Sequence, residues 1–270
     1  MSHDNRIEQL EDLKNIETNA DFYERLAAGK IATTIDNASS LSTNGKGGYT
    51  QPYYIPVPMT IKSQLGSPTP LAIGAFATTL TTLSLALMGF RGVGVTNAFI
   101  GNFFGVAGIG MFVSANWELV LGNTYAYTVL AAFGLFYAGF GFIITPYFGV
   151  AESYGGASTP EYNNAVGFWV LLWAVWNIFF FIGSLPLNLV YIGIFGTVQG
   201  AFTLVAAGYF LAADGSPHAA AVNKAAGAFA FASGMLGYYT VANLMCQQAL
   251  GFSFPMGDTS RFFRRKQKSG

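Results

Sequence analysis

Asn177 and Gln199 are amide side chains that lie inside long apolar stretches of the sequence. An amide carries two donors and an acceptor, which one contact with its own helix does not satisfy. Each of the two must therefore meet another helix, water or a solute, and we predict that both bind substrate. Hydroxyls in the same stretches are less informative, because threonine can bond back to a carbonyl of its own helix.

Glu118 directly follows an apolar stretch, after Asn116 and Trp117. A carboxylate at the centre of a bilayer costs about 2.5 to 3.5 kcal/mol on insertion scales, so we place Glu118 at the cytoplasmic end of its segment. There it can titrate, or it can pair with the start of the next segment through Asn123 and Thr124. A structural role and a role as a proton site both stay open.

The sequence contains few residues that could form disulfides, bind metals or act as catalytic groups. The chain has one cysteine, Cys246, and two histidines, His3 and His218. These exclude a disulfide framework and a thiolate metal site, and the sequence contains no P-loop, dinucleotide fingerprint or nucleophile elbow. No nucleophile, base and orienting group can be assembled, so we expect no enzyme, cofactor, metal or nucleic-acid partner.

The elements that position these residues are six apolar segments. A helix that spans a bilayer needs about 20 mostly apolar residues, and the segments lie near residues 70–90, 98–117, 124–148, 165–185, 189–212 and 225–247. The charged residues between Leu71 and Phe252 are few: Arg91, Glu118, Glu152, Glu161, Asp214 and Lys224. The predicted fold class is an all-α membrane protein with six transmembrane helices, the fourth and fifth being antiparallel neighbours.

Three regions follow from the distribution of charge. Residues 1–66 form a polar, largely flexible N-terminal region with a weak surface helix at 5–30. Residues 67–250 form a six-helix transmembrane domain, and residues 251–270 form a basic tail. Lys62 and five basic residues after Phe252 lie on one side of the membrane, against Arg91 and Lys224 on the other. Both termini are therefore predicted to be cytoplasmic, and no organelle signal argues against the plasma membrane.

Two motifs resemble those of the acetate and succinate permease family of bacteria and fungi. Ser67-Pro68-Thr69-Pro70-Leu71 is similar to the family's Asn-Pro-Ala-Pro-Leu, and the segment from Glu118 to Thr124 is similar to its Glu-x-x-x-Gly-Asn-Thr. The resemblance covers residues 67–248, and the long polar head is typical of fungal members. The prolines suit the first turn of a helix, where Ser67 and Thr69 can cap.

The resemblance implies a ring-shaped homohexamer in which each protomer has its own pathway with an apolar constriction. It implies that Phe76, Phe133 and Val198 form this constriction, with Thr79 one turn below Phe76. Ser67 and Thr79 are then further substrate-binding residues. The sequence departs from the family pattern in three places, Ser67 for asparagine, Ala72 for glycine and Met111 for glutamine.

The leading hypothesis is passive or proton-linked transport of small monocarboxylates, acetate first, across the lipid bilayer. Ammonia or ammonium movement is an alternative, since an apolar constriction suits small neutral molecules. A non-transporting membrane sensor of acid stress is another, based on the polar head and the basic tail.

Overall fold

The computed structural model describes residues 65–263, a range in which the regular secondary structure is entirely helical. The predicted surface helix at 5–30, the polar region up to residue 64 and the basic residues after Phe263 lie outside the described range. We number the six long helices α1 to α6: α1 Thr69–Leu87, α2 Gly110–Val120, α3 Thr124–Ile144, α4 Pro160–Ser184, α5 Leu189–Ala213 and α6 Ala219–Leu250. A π-helical segment, Asn102–Ile109, leads directly into α2.

Within the described range, five helices are long and apolar enough to cross a membrane: Thr69–Leu87, Asn97–Val120, Thr124–Ile144, Pro160–Ser184 and Leu189–Ala213. The sixth helix, α6, has 32 residues, which is ample length for a crossing. Its sequence is less apolar because it includes Lys224, Asn243 and Gln247 among many alanines and glycines. Six spans therefore remain a prediction.

Several helix ends differ from the predicted ones, and proline explains two of them. We predicted a third segment up to residue 148, but α3 ends at Ile144 because Thr145 precedes Pro146 and takes an extended conformation (ψ 119°). We predicted a fourth segment from residue 165, but α4 begins at Pro160, where the side chain of Thr159 accepts a hydrogen bond from the N–H of Tyr162.

The helices form a closed bundle around an apolar core. Helix α1 packs against α2 and α6, α2 against α3, and α5 lies between α4 and α6. The rings of Phe136 on α3 and Trp169 on α4 stack with centroids 5.1 Å apart, which brings the remaining pair of helices together. Helices α4 and α5 are antiparallel neighbours, as predicted from their short connection.

The chain after α6 turns back onto the α4 to α5 connection. We call residues 251–259 the C-terminal strap. The hydroxyl of Thr259 donates to the carbonyl of Leu185 at 2.7 Å, and the N–H of Leu189 donates to the carbonyl of Gly257 at 2.8 Å. The strap thus satisfies main-chain groups at the end of α4 and the start of α5, which their own helices leave without partners.

Candidate functional site

An apolar chamber of about 60 Å³ lies between α1, α3, α4, α5 and α6. Among the residues that the structure describes, those that line it have hydrocarbon side chains, with the exception of Tyr209 on α5. The lining residues are Phe76, Leu80, Leu83, Leu87, Phe133, Phe136, Phe140, Val170, Val198, Ala201, Phe202, Val205, Tyr209 and Ala230. A solute inside would meet dispersion contacts on nearly all sides and little that can replace its hydration.

Phe76, Phe133 and Val198, the three predicted constriction residues, all line this chamber. Phe76 and Phe133 meet edge to face with ring centroids 5.6 Å apart, and Phe133 stacks on Phe202 at 6.2 Å. We call Phe76, Phe133 and Val198 the neck. All three side chains are buried, and their role as the constriction of a pathway stays a prediction.

Asn177 and Gln199 meet each other across α4 and α5. The amide nitrogen of Asn177 donates to Gln199 Oε1 at 2.9 Å and to the main-chain carbonyl of Phe195 at 3.1 Å. The second helix that these amides were predicted to need is therefore present. Neither residue lines the chamber, and binding of substrate by either one stays a prediction.

Thr79 is completely buried on α1, one turn from Phe76. Unlike Thr82 and Ser84, whose hydroxyls donate to carbonyls of α1, Thr79 has an Oγ1 without a hydrogen-bond partner in the described part of the chain. It does not line the chamber. Its predicted contact with substrate is likewise untested.

A second cavity, of about 300 Å³, is more open and lies where α1 begins; we call it the vestibule. Leu65, Gly66, Ser67, Thr69, Glu118, Leu121 and Asn123 line it. Ser67 is therefore placed beside Glu118 and Asn123, which the sequence predicted at the end of the second helix and the start of the third.

Glu118 is 3% exposed and is held by donors from two other elements. The hydroxyl of Thr69 donates to Oε1, and the amide of Asn123 donates to Oε2 at 2.9 Å. Ser67 completes the chain by donating to Thr69 Oγ1 at 3.0 Å. Hydrogen bonds to a carboxylate are stronger than those between neutral groups, so Glu118 ties the starts of α1 and α3 to the end of α2.

Two details differ from prediction. Neither Ser67 nor Thr69 caps α1: Pro68 takes the N-cap position, without a side-chain cap, because both hydroxyls are directed along the chain of bonds to Glu118. The start of α3 reaches Glu118 through Asn123, whose Oδ1 also caps α3. Thr124 is exposed and, among the described contacts, is not bonded to Glu118.

Sequence reasoning missed Thr69 as the partner of Glu118 and Tyr209 as the polar residue of the chamber wall. The sequence contains a pattern that could have identified Tyr209. Val198, Phe202, Val205 and Tyr209 recur at helical spacing on α5, and all four line the chamber. No local sequence pattern could have identified Thr69 as the partner of Glu118, because the two residues are 49 positions apart in sequence.

The helices and the two cavities define an integral membrane protein with a small apolar chamber and, where α1 begins, a more open vestibule. The sequence profile of the GPR1/FUN34/yaaH family matches residues 46–257. The chain belongs to this family, which confirms the resemblance read from its two motifs.

Sequence similarity to known proteins extends over most of the chain. The acetate transporter protein patA of Penicillium expansum is 47% identical over 86% of this chain and 90% of its own length. The protein alcS of Aspergillus fumigatus is 34% identical over 77% of this chain and 80% of its own length. The bacterial acetate channel SatP superposes with a TM-score of 0.62, covering 72% of this chain and 99% of its own at 24% identity, which shows a shared fold.

Proposed function

We propose that this protein transports small monocarboxylates, acetate first, along a path that runs from the vestibule through the neck and the chamber of each protomer. The observation that carries the proposal is the apolar chamber whose wall includes Phe76 and Phe133, which contact each other edge to face. Relatives named as acetate transporters in two fungi, both 47% identical, support the choice of substrate.

The size of the chamber supports a solute of a few heavy atoms. A cavity needs roughly 10 to 15 Å³ to hold one water molecule, so the chamber of about 60 Å³ has room for roughly four to six such groups. Acetate has four heavy atoms. Dicarboxylates and tricarboxylates would need the chamber walls to move apart.

The lining of the chamber supports passage of the neutral acid. An ionised carboxylate would lose its hydration there without gaining paired donors, whereas the protonated acid has no net charge to desolvate. Transport is then passive or linked to the proton that the acid carries. Glu118, in the vestibule, is the residue that we propose exchanges a proton with the acid, and Ser67, Thr69 and Asn123 position its carboxylate.

The wider arrangement is part of the same proposal. We propose six membrane crossings with both termini in the cytoplasm, a homohexamer, and the plasma membrane as its location. Large exposed apolar side chains on α4, namely Phe168, Leu172 and Phe179, support burial of this outer surface in lipid or against another protomer.

The test is uptake of labelled acetate into liposomes that contain the purified protein, measured against pH with and without an imposed voltage. We expect saturable uptake above empty liposomes, competition by propionate and little dependence on voltage. Strong voltage dependence would indicate passage of the anion instead. Uptake equal to that of empty liposomes, with folded protein, would refute the proposal.

Ammonia is a second candidate solute, favoured by the same nearly hydrocarbon wall, since dry apolar passages admit small neutral molecules. The two functions are separated by flux of ammonia, followed with a pH-sensitive dye inside the liposomes. Ammonia flux without acetate flux would transfer the proposal to ammonia.

A further inference from the structure

We infer that Gly237 sets the position of the Phe76 ring and thereby the size of acid that passes the neck. The inference rests on the transport function proposed above. Gly237 is buried on α6, where the helix meets α1. A Cβ atom at this position would lie 3.0 Å from Ala77 Cβ and 3.4 Å from Phe76 Cδ1.

The ring of Phe76 lies between two helices. On one side it meets α6 at Gly237, and on the other it meets Phe133 of α3, with 5.6 Å between ring centroids. Phe76 is 4% exposed to solvent, and it lines the chamber, so its ring has free space on the chamber side. A methyl group added at Gly237 would touch the ring at the lower limit of ordinary van der Waals distance. It would keep the ring from moving toward α6 and so limit how far the neck can open.

Other small residues of α6 also face α1 but do not contact the neck. A Cβ at Gly234 would lie 2.4 Å from Thr81 Oγ1, and one at Gly227 would lie 2.9 Å from the carbonyl of Ser84. Those glycines allow the two helices to approach closely. Gly237 differs because one of its two near neighbours is itself a neck residue.

The experiment compares uptake of formate, acetate and propionate by Gly237→Ala and wild-type protein in liposomes. One methylene in a tight apolar site changes discrimination by about tenfold or more, so we expect the propionate-to-acetate ratio to fall about tenfold and the formate-to-acetate ratio to rise. The matched control is Gly74→Ala on α1, whose added Cβ would lie at an ordinary 3.8 Å from Val241 Cγ2. We expect Gly74→Ala to keep the wild-type ratios.

A second variant separates movement of the ring from separation of the helices. In Gly237→Ala with Ala77→Gly, the 3.0 Å contact between the two Cβ atoms is gone, while the contact with Phe76 remains. We expect the altered ratios to persist in this double variant, which also serves as the test if Gly237→Ala alone does not fold. Adding Phe76→Leu to Gly237→Ala should restore passage of propionate, because the smaller side chain reopens the neck.

Wild-type ratios in folded Gly237→Ala would overturn the inference, and so would their return in the double variant with Ala77→Gly. The proposed function is judged separately by the wild-type protein. If wild-type protein transports acetate and Phe76→Leu alone changes the ratios, an unchanged Gly237→Ala removes this inference only. If wild-type protein transports no acid, both fall.

Discussion

The amide of Asn177 on α4 donates a hydrogen bond to the main-chain carbonyl of Phe195 on α5, three residues before the neck residue Val198. On the other side of α5, the hydroxyl of Ser233 on α6 donates to the adjacent carbonyl of Ile194 at 3.1 Å. Consecutive carbonyls of α5 are thus bonded to the helices on either side of it. The position of Val198 in the chamber wall depends on this pair of bonds, because they fix both the rotation and the height of α5.

Replacing Asn177 by leucine should lower the stability of the protein. The variant keeps the size of the side chain but loses the bonds to Phe195 and Gln199, and such interhelical bonds contribute about 0.6 to 2 kcal/mol in membrane proteins. We expect a lower thermal unfolding temperature in detergent. Asn116→Leu is the control, because the exposed Asn116 donates, among the described contacts, only to Phe112 of its own helix. Equal melting of the two variants would contradict a structural role for Asn177.

Replacing Thr69 by valine should lower the stability of the protein, because Glu118 loses one of its two described hydrogen-bond donors. The carboxylate would stay buried with one donor fewer, and loss of a hydrogen bond to a charged group costs about 1.5 to 3 kcal/mol. Adding Glu118→Gln to Thr69→Val should cost less than the sum of the single changes, as measured by thermal unfolding of all four proteins. Strict additivity would mean that the contact between Thr69 and Glu118 does not contribute.

Replacing Val198 by alanine should widen the neck without removing an aromatic ring. We expect propionate uptake to rise relative to acetate uptake in liposomes, since Val198 is 3% exposed and lines the chamber. Val175→Ala is a control of identical chemistry on the outer surface of α4, where Val175 is 46% exposed. A wild-type ratio in Val198→Ala would place the selecting contact elsewhere along the path.

Replacing Thr259 by valine should weaken the C-terminal strap. Thr259 is 6% exposed, and its hydroxyl donates to Leu185, so the change leaves that carbonyl without this partner, at a cost of about 1 kcal/mol or more. Limited proteolysis should then cut the strap faster than in wild-type protein. Ser260→Ala, one residue further on, removes a hydroxyl whose described bond is local, to Asp258, and should leave the rate of cleavage unchanged.

Much of the fold could be predicted because its signals are local. Length and apolarity place the helices, and the connection around Pro186 forces α4 and α5 to be neighbours. The ends were less accurate where a cap and a proline act together, as at Thr159 and Pro160. The strap had no signal, since its partners lie about 70 residues earlier in the chain.

The candidate site, like the fold, could be predicted only in part from the sequence. Family motifs led to Phe76, Phe133 and Val198, which the structure brings to one chamber. Polarity alone led to Asn177 and Gln199, and these lie in a contact between helices instead of in the chamber wall. A polar residue within an apolar segment needs a hydrogen-bond partner, but the sequence alone does not determine whether that partner is protein or solute.

The C-terminal strap also bears on how the protein is made. The carbonyl of Leu185 receives its bond from Thr259, a residue that leaves the ribosome 74 positions later. When the last residue of α6 has been synthesised, the turn between α4 and α5 still lacks these partners, because the strap follows α6 in the chain. These bonds can therefore form only after α6 has been synthesised, and a chain cut short after α6 would lack the partners of Leu185 and Leu189.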